Sequence, residues 1–493
     1  DCQGGTVNFI FTVNPEPVIP SLTAEVCSGE TFIVDPVNNP PTTIVPAGTT
    51  YTWTVIDNPD VFSELGEDSP QTTISQNLKN ETNVPQLVNY TVTPTSGADG
   101  ACDGAPFNLT IQVNPKPTLE DVNLLPICSG DPFDLIPVNA GGLSGTDIIP
   151  ANTTYTWTVL DANDLVTGDS DETTPQTSIG QTLSNISSIP QTLVYTVSPT
   201  SGAQGLCPGD AFTVTITVNP TPVIPNQTAE ICSDETFTDT LLNNPPTTII
   251  PADTSYTWTV NANNNVTGQS DQTTSQTSIS QTLTNLTNTV QTVDYIVTPT
   301  SGADGFCVGE DFTLTVSVNP KPFMDDLIHL PFCSNFNFVV FPIDGEGLTS
   351  SDIVPVGTTY TWTVVDANDL VTGDSDETIG QTSISQTLTN TSDIPQTLIY
   401  TVTPTSGDLG ACVGDTFAVT FTVNPSPVIP NQTAEICSQE TFTVNLTNNP
   451  PTTIVPANTT YTWTVDDNTD VDGESDETTP QSSISQTLTN TSN

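Results

Sequence analysis

Residues 212–218 read Phe-Thr-Val-Thr-Ile-Thr-Val. Large apolar side chains at Phe212, Val214, Ile216 and Val218 alternate with hydroxyls at Thr213, Thr215 and Thr217. A period of two sets one face of an extended strand against a core and the other in water. Threonine suits the wet face, because its branched β-carbon favours strands while its hydroxyl meets solvent. The same pattern fills 107–113, 312–318 and 417–423. Working backwards, Leu193, Tyr195 and Val197 predict the preceding strand, which ends at Pro199-Thr-Ser-Gly202. Tyr155, Trp157 and Val159 predict an earlier one, and 133–136 and 177–183 are further candidates. Roughly seven short strands in about 100 residues, broken by Gly, Pro, Asn and Asp turns, predict an all-β, Ig-like sandwich. Helical periodicity is absent.

These segments recur. Tyr-Thr-Trp-Thr-Val carries its tryptophan at Trp53, Trp157, Trp258, Trp362 and Trp463, in steps of 104, 101, 104 and 101. Each lies on an apolar face and reads as a core anchor. Val-Asn-Pro-x-Pro recurs at 13–17, 113–117, 218–222, 318–322 and 423–427. A shorter unit with Asn-Asn-Pro-Pro-Thr-Thr-Ile (38–44, 243–249, 448–454) alternates with a longer one with Gly-Leu-[Ser/Thr]-x-x-Asp-Ile (142–148, 347–353). The expected division is 1–16 (last strand of an upstream repeat), 17–116 (short), 117–221 (long), 222–321 (short), 322–426 (long) and 427–493 (a short repeat lacking its last strands). Such a chain reads as a window on a longer repetitive polypeptide arranged as a beaded, extended array.

Composition excludes several function classes. The 493 residues carry 56 acids, three lysines, no arginine and one histidine, for a net charge of −53. Three lysines cannot neutralise a phosphate track, so nucleic acid is not a partner. No run of 18 apolar residues occurs, so membrane insertion of this segment is not expected. One histidine and no arginine leave little for acid–base or nucleophilic catalysis. His329, between Ile328 and Leu330, reads as a local packing residue. The Asn-x-[Ser/Thr] triplets at Asn80, Asn108, Asn152 and Asn185 are expected by chance in so Asn-, Ser- and Thr-rich a chain.

Ten cysteines form a framework, two to each complete unit. Most open a similar turn, Cys-x-Gly-[Asp/Glu]-x-Phe, as in Cys27-Ser-Gly-Glu-Thr-Phe32 and Cys207-Pro-Gly-Asp-Ala-Phe212. If the first edge strand runs parallel to the last, two such turns stand side by side. The preferred pairing is then Cys27–Cys102, Cys128–Cys207, Cys232–Cys307 and Cys333–Cys412, with Cys2 and Cys437 left over. One rival joins Cys2–Cys27 and Cys102–Cys128 across junctions. Another staples adjacent units through loops at opposite poles. Regular pairing implies an oxidising, extracellular compartment. Zinc is not expected without a Cys-x-x-Cys.

After each tryptophan strand comes an acidic loop. In the longer units Asp161, Asp164, Asp169 and Asp171 recur as Asp366, Asp369, Asp374 and Asp376. Clustered carboxylates can supply the oxygen ligands of calcium, the one cofactor this sequence suggests. The alternative is a solvated acidic loop, and the third unit substitutes Asn261, Asn263, Asn264 and Gln269 there.

The order Cys-Ser-Gly-Glu-Thr-Phe, Thr-Tyr-Thr-Trp-Thr-Val, Tyr-Thr-Val-Thr-Pro-Thr-Ser-Gly and Val-Asn-Pro-x-Pro resembles the PKD-like and Ig-like repeats of Bacteroidota surface proteins. The resemblance covers essentially the whole chain. It implies a very long cell-surface protein exported by type IX secretion, in the manner of gliding-motility adhesins of the SprB type. Cys232-Ser-Asp-Glu and Cys333-Ser-Asn-Phe lack the turn glycine, so a different turn is expected there. The functional expectation is a structural stalk segment that projects a distal binding tip. Its partners would be the neighbouring repeats, a cell-surface anchoring machinery, and a surface or glycan ligand met through other domains. An S-layer or biofilm-matrix protein and a glycan-binding array are the alternatives.

Overall fold

A computed structural model describes residues 3–97, 101–138, 146–202, 205–302, 305–343, 352–407 and 410–492. Cys2 and most of the Gly-Leu-[Ser/Thr] motifs at 142–148 and 347–353 lie outside them. The chain falls into two compact units. One comprises Asp1–Ile224, Leu242–Ser255 and Pro299–Glu310, the other Pro225–Leu241, Tyr256–Thr298 and Asp311–Asn493.

The alternating segments become strands of a sandwich. In residues 117–221 the tryptophan strand is Thr154–Asp161, the return strand Gln191–Thr200 and the last strand Phe212–Asn219. They lie antiparallel, pairing Trp157 with Val197 and Val197 with Phe212. Glu172–Gln176 closes one edge. On the other edge, Val122–Asn123 and Ile127–Cys128 run parallel to the last strand. Pro132–Leu135 pairs with Ile179–Thr182, and Val166–Thr167 with Ser184–Asn185, to build the facing layer.

Between the layers lie Phe133, Tyr155, Trp157, Ile179, Leu183, Leu193, Tyr195 and the apolar row Phe212, Val214, Ile216 and Val218. That row is 0–2% exposed, as its period of two dictates. Burying a side chain of that size contributes roughly 1.5–3 kcal/mol. Residues 22–114 repeat this plan, in sheet order Leu22–Cys27, Phe107–Asn114, Gln86–Thr95, Thr50–Ile56 and Glu67–Gln71. So do residues 327–424. Trp53, Trp157, Trp258 and Trp362 are 4–5% exposed, and Trp463 is half-buried. In residues 427–493, Glu440–Thr443 and Val471–Asp472 flank Ser485–Asn490, while Tyr461–Trp463 pairs with Glu477–Gln481. Residues 3–16 form no strand, and Phe9, Ile10 and Phe11 are exposed.

The sandwiches carry two polar devices in their walls. In one, the Trp157 indole N–H and the Gln181 amide both donate to Ser170 O (3.1 and 2.8 Å), and the Tyr195 hydroxyl donates to Gln181 Oε1 (2.8 Å). Burial pushes the Tyr195 phenol well above its usual range. In the other, the Asn185 amide donates to Val218 O (2.9 Å) and Ile189 O (2.8 Å), while its oxygen accepts Ser187 N–H (2.9 Å). Asn80, Asn285 and Asn390 make the same bonds. Asn80 and Asn185 are 3% and 2% exposed, so their Asn-x-[Ser/Thr] pattern is a buried corner; Asn108 and Asn152 are exposed.

Candidate functional site: the repeat junctions

The turn Cys-x-Gly-[Asp/Glu] occurs at both poles of a repeat, and its two copies do different work. In the first copy the cysteine ends the parallel edge strand: Cys27 pairs with Asn114, the last residue of the last strand. Ser28 N–H then donates to Asn114 O (2.8 Å), and Ser28 Oγ donates to the Asn80 corner (3.0 Å). The turn residue takes positive φ, 82° at Gly29 and 93° at Gly130. Asp234 (70°), Asn335 (67°) and Gln439 (71°) take the same conformation. The units without the glycine therefore keep the turn, since Asp and Asn tolerate this region best among side chains.

The second copy precedes the last strand and lies at the opposite pole. Cys102 comes before Phe107, where that strand begins, whereas Cys27 faces its far end. An eight-residue strand spans roughly 26 Å, whereas disulfide geometry needs Cα atoms about 4.4–6.8 Å apart. The preferred pairing is therefore wrong: Cys27–Cys102, Cys128–Cys207, Cys232–Cys307 and Cys333–Cys412 do not form. The observed bonds are Cys27–Cys207, Cys128–Cys307 and Cys232–Cys412, all with Cα atoms 5.6 Å apart. They staple one repeat to the next through opposite-pole loops. The rival bonds Cys2–Cys27 and Cys102–Cys128 are excluded as well, because Cys27 and Cys128 are engaged elsewhere. Cys102, Cys333 and Cys437 are free thiols.

The second copy is built around this junction. In Cys207-Pro-Gly-Asp210 the cysteine is fully buried, and its N–H donates to Ser201 Oγ (3.0 Å). Gly209 lies against the linker: a Cβ there would stand 2.5 Å from Pro117 O. Asp210 accepts from the Lys116 ammonium at 2.8 Å. Cys412-Val-Gly-Asp415 repeats each contact, with Cys232, with Pro322 and with Lys321 at 2.8 Å. Cys307-Val-Gly-Glu310 has the disulfide and the Pro322-equivalent packing, here on Pro222, while the lysine position is Thr221. The acids of both ion pairs are exposed, so each pair contributes about 0–1 kcal/mol. Elsewhere at these junctions the Asn243 amide donates to Ser188 Oγ (2.9 Å), and Asn448 donates to Asp393 (2.6 Å). Beside Cys232–Cys412 lies a polar cleft of about 680 Å³, lined by Glu230, Asp234 and Lys321.

Sequence reading did not anticipate Lys116 and Lys321 as junction residues. Their signal is position, between the prolines of Val-Asn-Pro-Lys-Pro and ahead of a long unit.

The acidic loops fold on their own backbone. Asp161 accepts N–H groups of Val166 (2.8 Å) and Asn163 (3.2 Å), and Asp171 accepts that of Val159 (2.9 Å). Asp366 and Asp376 do the same with Val371, Asn368 and Val364. Asp164 and Asp369 adopt φ of 55° and 56° at the loop tips. Burial, then the neighbouring carboxylates, raises the pKa of Asp169 and of Asp374 above the usual carboxylate value. In the third repeat the uncharged Gln269 accepts the Asn263 N–H (3.1 Å), as Glu474 accepts that of Asn468 (2.6 Å). Among the described residues no three His, Cys, Asp or Glu side chains converge as a metal-ligand set. His329 donates its backbone N–H to Thr420 O (2.9 Å), and its ring lies 5.3 Å from Phe421 and 5.7 Å from Phe332.

The family described as PKD-like domain matches five successive stretches: 24–117, 126–222, 229–322, 347–427 and 434–493. No curated protein matches the chain. Solved structures similar to it include the I-band fragment I67–I69 from titin, at 12% identity and a TM-score of 0.27, covering 62% of this chain and 96% of that one. Mouse cadherin-23 EC22–24 matches at 14% identity and 0.20, covering 61% and 96%. Three N-terminal domains of the bacteriophage RB49 outer capsid protein Hoc match at 8% identity and 0.27, covering 70% and 96%.

Proposed function

This chain belongs to the PKD-like domain family, and from that premise we propose that it is a non-catalytic stalk segment of a very long cell-surface adhesin. The observation that carries the reading is the junction: each of three successive repeats is bonded to the next by a disulfide. A protein that spends a buried cysteine, a glycine and a lysine on holding repeats together is organised around continuity between them. Pro-x-Pro linkers fix φ at two of three positions and resist bending. Disulfides suit an oxidising compartment outside the cytoplasm, and among the described residues no helix is long and apolar enough to cross a membrane. In its finer form the proposal places the stalk on the bacterial outer surface, exported by type IX secretion and serving surface adhesion during gliding. Its partners are then the proximal and distal repeats, the anchoring machinery, and a ligand reached through other domains.

Rotary-shadowed electron microscopy of the purified chain tests the stalk, and immunogold labelling of intact cells tests its location. Single beaded threads and label outside the cells are expected. Sheets or lateral bundles would favour a matrix or S-layer protein and end the stalk reading; absence of label on intact cells would end the surface assignment.

A further inference from the structure

The three disulfides close loops over 27–207, 128–307 and 232–412. Each loop opens before the previous one closes. Every peptide bond from Cys27 to Cys412 therefore lies inside at least one of them. We propose that these overlapping loops form a covalent ladder that carries tension past the folded repeats, caps the extension of the chain and keeps it continuous after a backbone cut.

Tension applied between Pro20 and Pro430 follows the shortest covalent route. That route runs seven residues to Cys27, crosses to Cys207, follows twenty-five residues to Cys232, crosses to Cys412 and ends eighteen residues later. At about 3.5 Å per extended residue it can lengthen to about 180 Å, against about 1,400 Å for the uncrosslinked chain. Between the cysteines, only 207–232 is drawn taut. It holds the last strand Phe212–Asn219, the Pro220-Thr-Pro222 linker and the edge strand Gln227–Cys232. Residues 28–206 and 233–411 hang as side loops, and Trp53, Trp157, Trp258 and Trp362 lie in them, whereas the apolar row Phe212–Val218 of the second core lies on the taut segment. Unfolding of a side loop adds nothing to the distance between the ends. The inference rests on covalent connectivity and is independent of the stalk reading: a chain that is no stalk would give the same two results below.

The first test is single-molecule pulling on the full chain, through peptide tags inserted at Pro20 and Pro430. Without reductant the total extension stays near 180 Å; with a phosphine reductant it grows severalfold, towards 1,400 Å. Steps of about 350 Å, the length of one unfolded repeat of about 100 residues, in the absence of reductant would overturn the proposal. The second test needs no force. In a Lys79→Gln background, which removes the ordinary tryptic site, Pro117→Ala makes the linker cleavable by trypsin after Lys116, and reduction of an aliquot verifies the cut. Without reductant the cut chain is expected to remain one covalent molecule, held by Cys27–Cys207, and to separate when Cys207→Ser is added. Separation of the cut chain that keeps Cys207, or persistence of the cut Cys207→Ser chain as one molecule, would each refute the ladder.

Discussion

Replacing Asn185 by alanine isolates the corner that holds two ends of a repeat together. The side chain is 2% exposed, donates to Val218 O and Ile189 O, and accepts from Ser187 N–H. Alanine removes these three bonds and a fourth, from Ser187 Oγ to the same amide oxygen (2.7 Å). Ile189 O keeps a donor, because Ser187 Oγ lies 2.9 Å from it. Val218 O loses this donor and Ser187 N–H is orphaned, both in a buried setting. A buried group left unsatisfied costs about 1–3 kcal/mol, so the expected loss is about 2–6 kcal/mol, a large share of the stability of one domain. Aspartate at the same site keeps the acceptor, loses both donors and introduces a charge, and is expected to be no better.

Global melting is a poor probe, since a repeat array does not unfold in one step. Hydrogen exchange with mass spectrometry resolves the repeats separately. Protection of the amides of Gln191–Thr200 and Phe212–Asn219 should fall by the stated free energy, while that of Gln86–Thr95 and Phe107–Asn114 stays unchanged. A fall below about 1 kcal/mol, the net worth of one ordinary hydrogen bond, would refute the claim that this asparagine ties the corner.

Trp157→Phe removes core volume but leaves Ser170 O its Gln181 donor, so a loss of about 1–3 kcal/mol is expected from the vacated space, read by the same exchange experiment; no change would mean that the indole is not a core anchor. Asp169 has a raised pKa in the folded chain, so the folded state binds its proton more readily than the unfolded state. Stability of that loop should therefore rise as pH falls through the raised value and decline again at neutral pH. Asp169→Asn, imitating Gln269, should be neutral or stabilising at pH 7 and should flatten this dependence; marked destabilisation by asparagine would show that the charge itself is required. Trypsin has one ordinary site, Lys79, because Lys116 and Lys321 precede proline. Digestion of the reduced chain should give fragments of 79 and 414 residues, and the unreduced chain should stay one molecule across Cys27–Cys207; extensive fragmentation would contradict both the site count and the pairing.

The strands were legible because burial on one face writes itself as a period of two, as in Phe212–Val218. The tryptophans were legible because only a core repeats a large aromatic at fixed spacing. The disulfide pairing was not. Both turns share one consensus, and what separates them is which end of a strand each cysteine occupies. Cys128 ends a two-residue strand, Ile127–Cys128, too short to show a pattern. Its partner stands 179 residues away, beyond the repeat in which local reasoning looks for it. Asn185 carried a misleading local signal, since Asn-x-Ser is also a glycosylation pattern and nothing nearby says that the amide is buried. Lys116 carries no partner signal in its own unit, because Asp210, beside which it lies, is 94 residues on.

The staple has a consequence for inheritance. A short unit bonds forward to a long one at Cys27–Cys207, and a long unit bonds forward to a short one at Cys128–Cys307, with the same 5.6 Å between Cα atoms. Either unit type thus serves as donor or acceptor. Recombination between repeats can then add or remove a whole unit, and the two cysteines that meet across each remaining staple are still one of each kind. The short-to-long junctions add a lysine contact and the long-to-short ones an asparagine contact, and both are weaker than the disulfide. Length can vary between lineages while the chemistry that joins the repeats stays fixed.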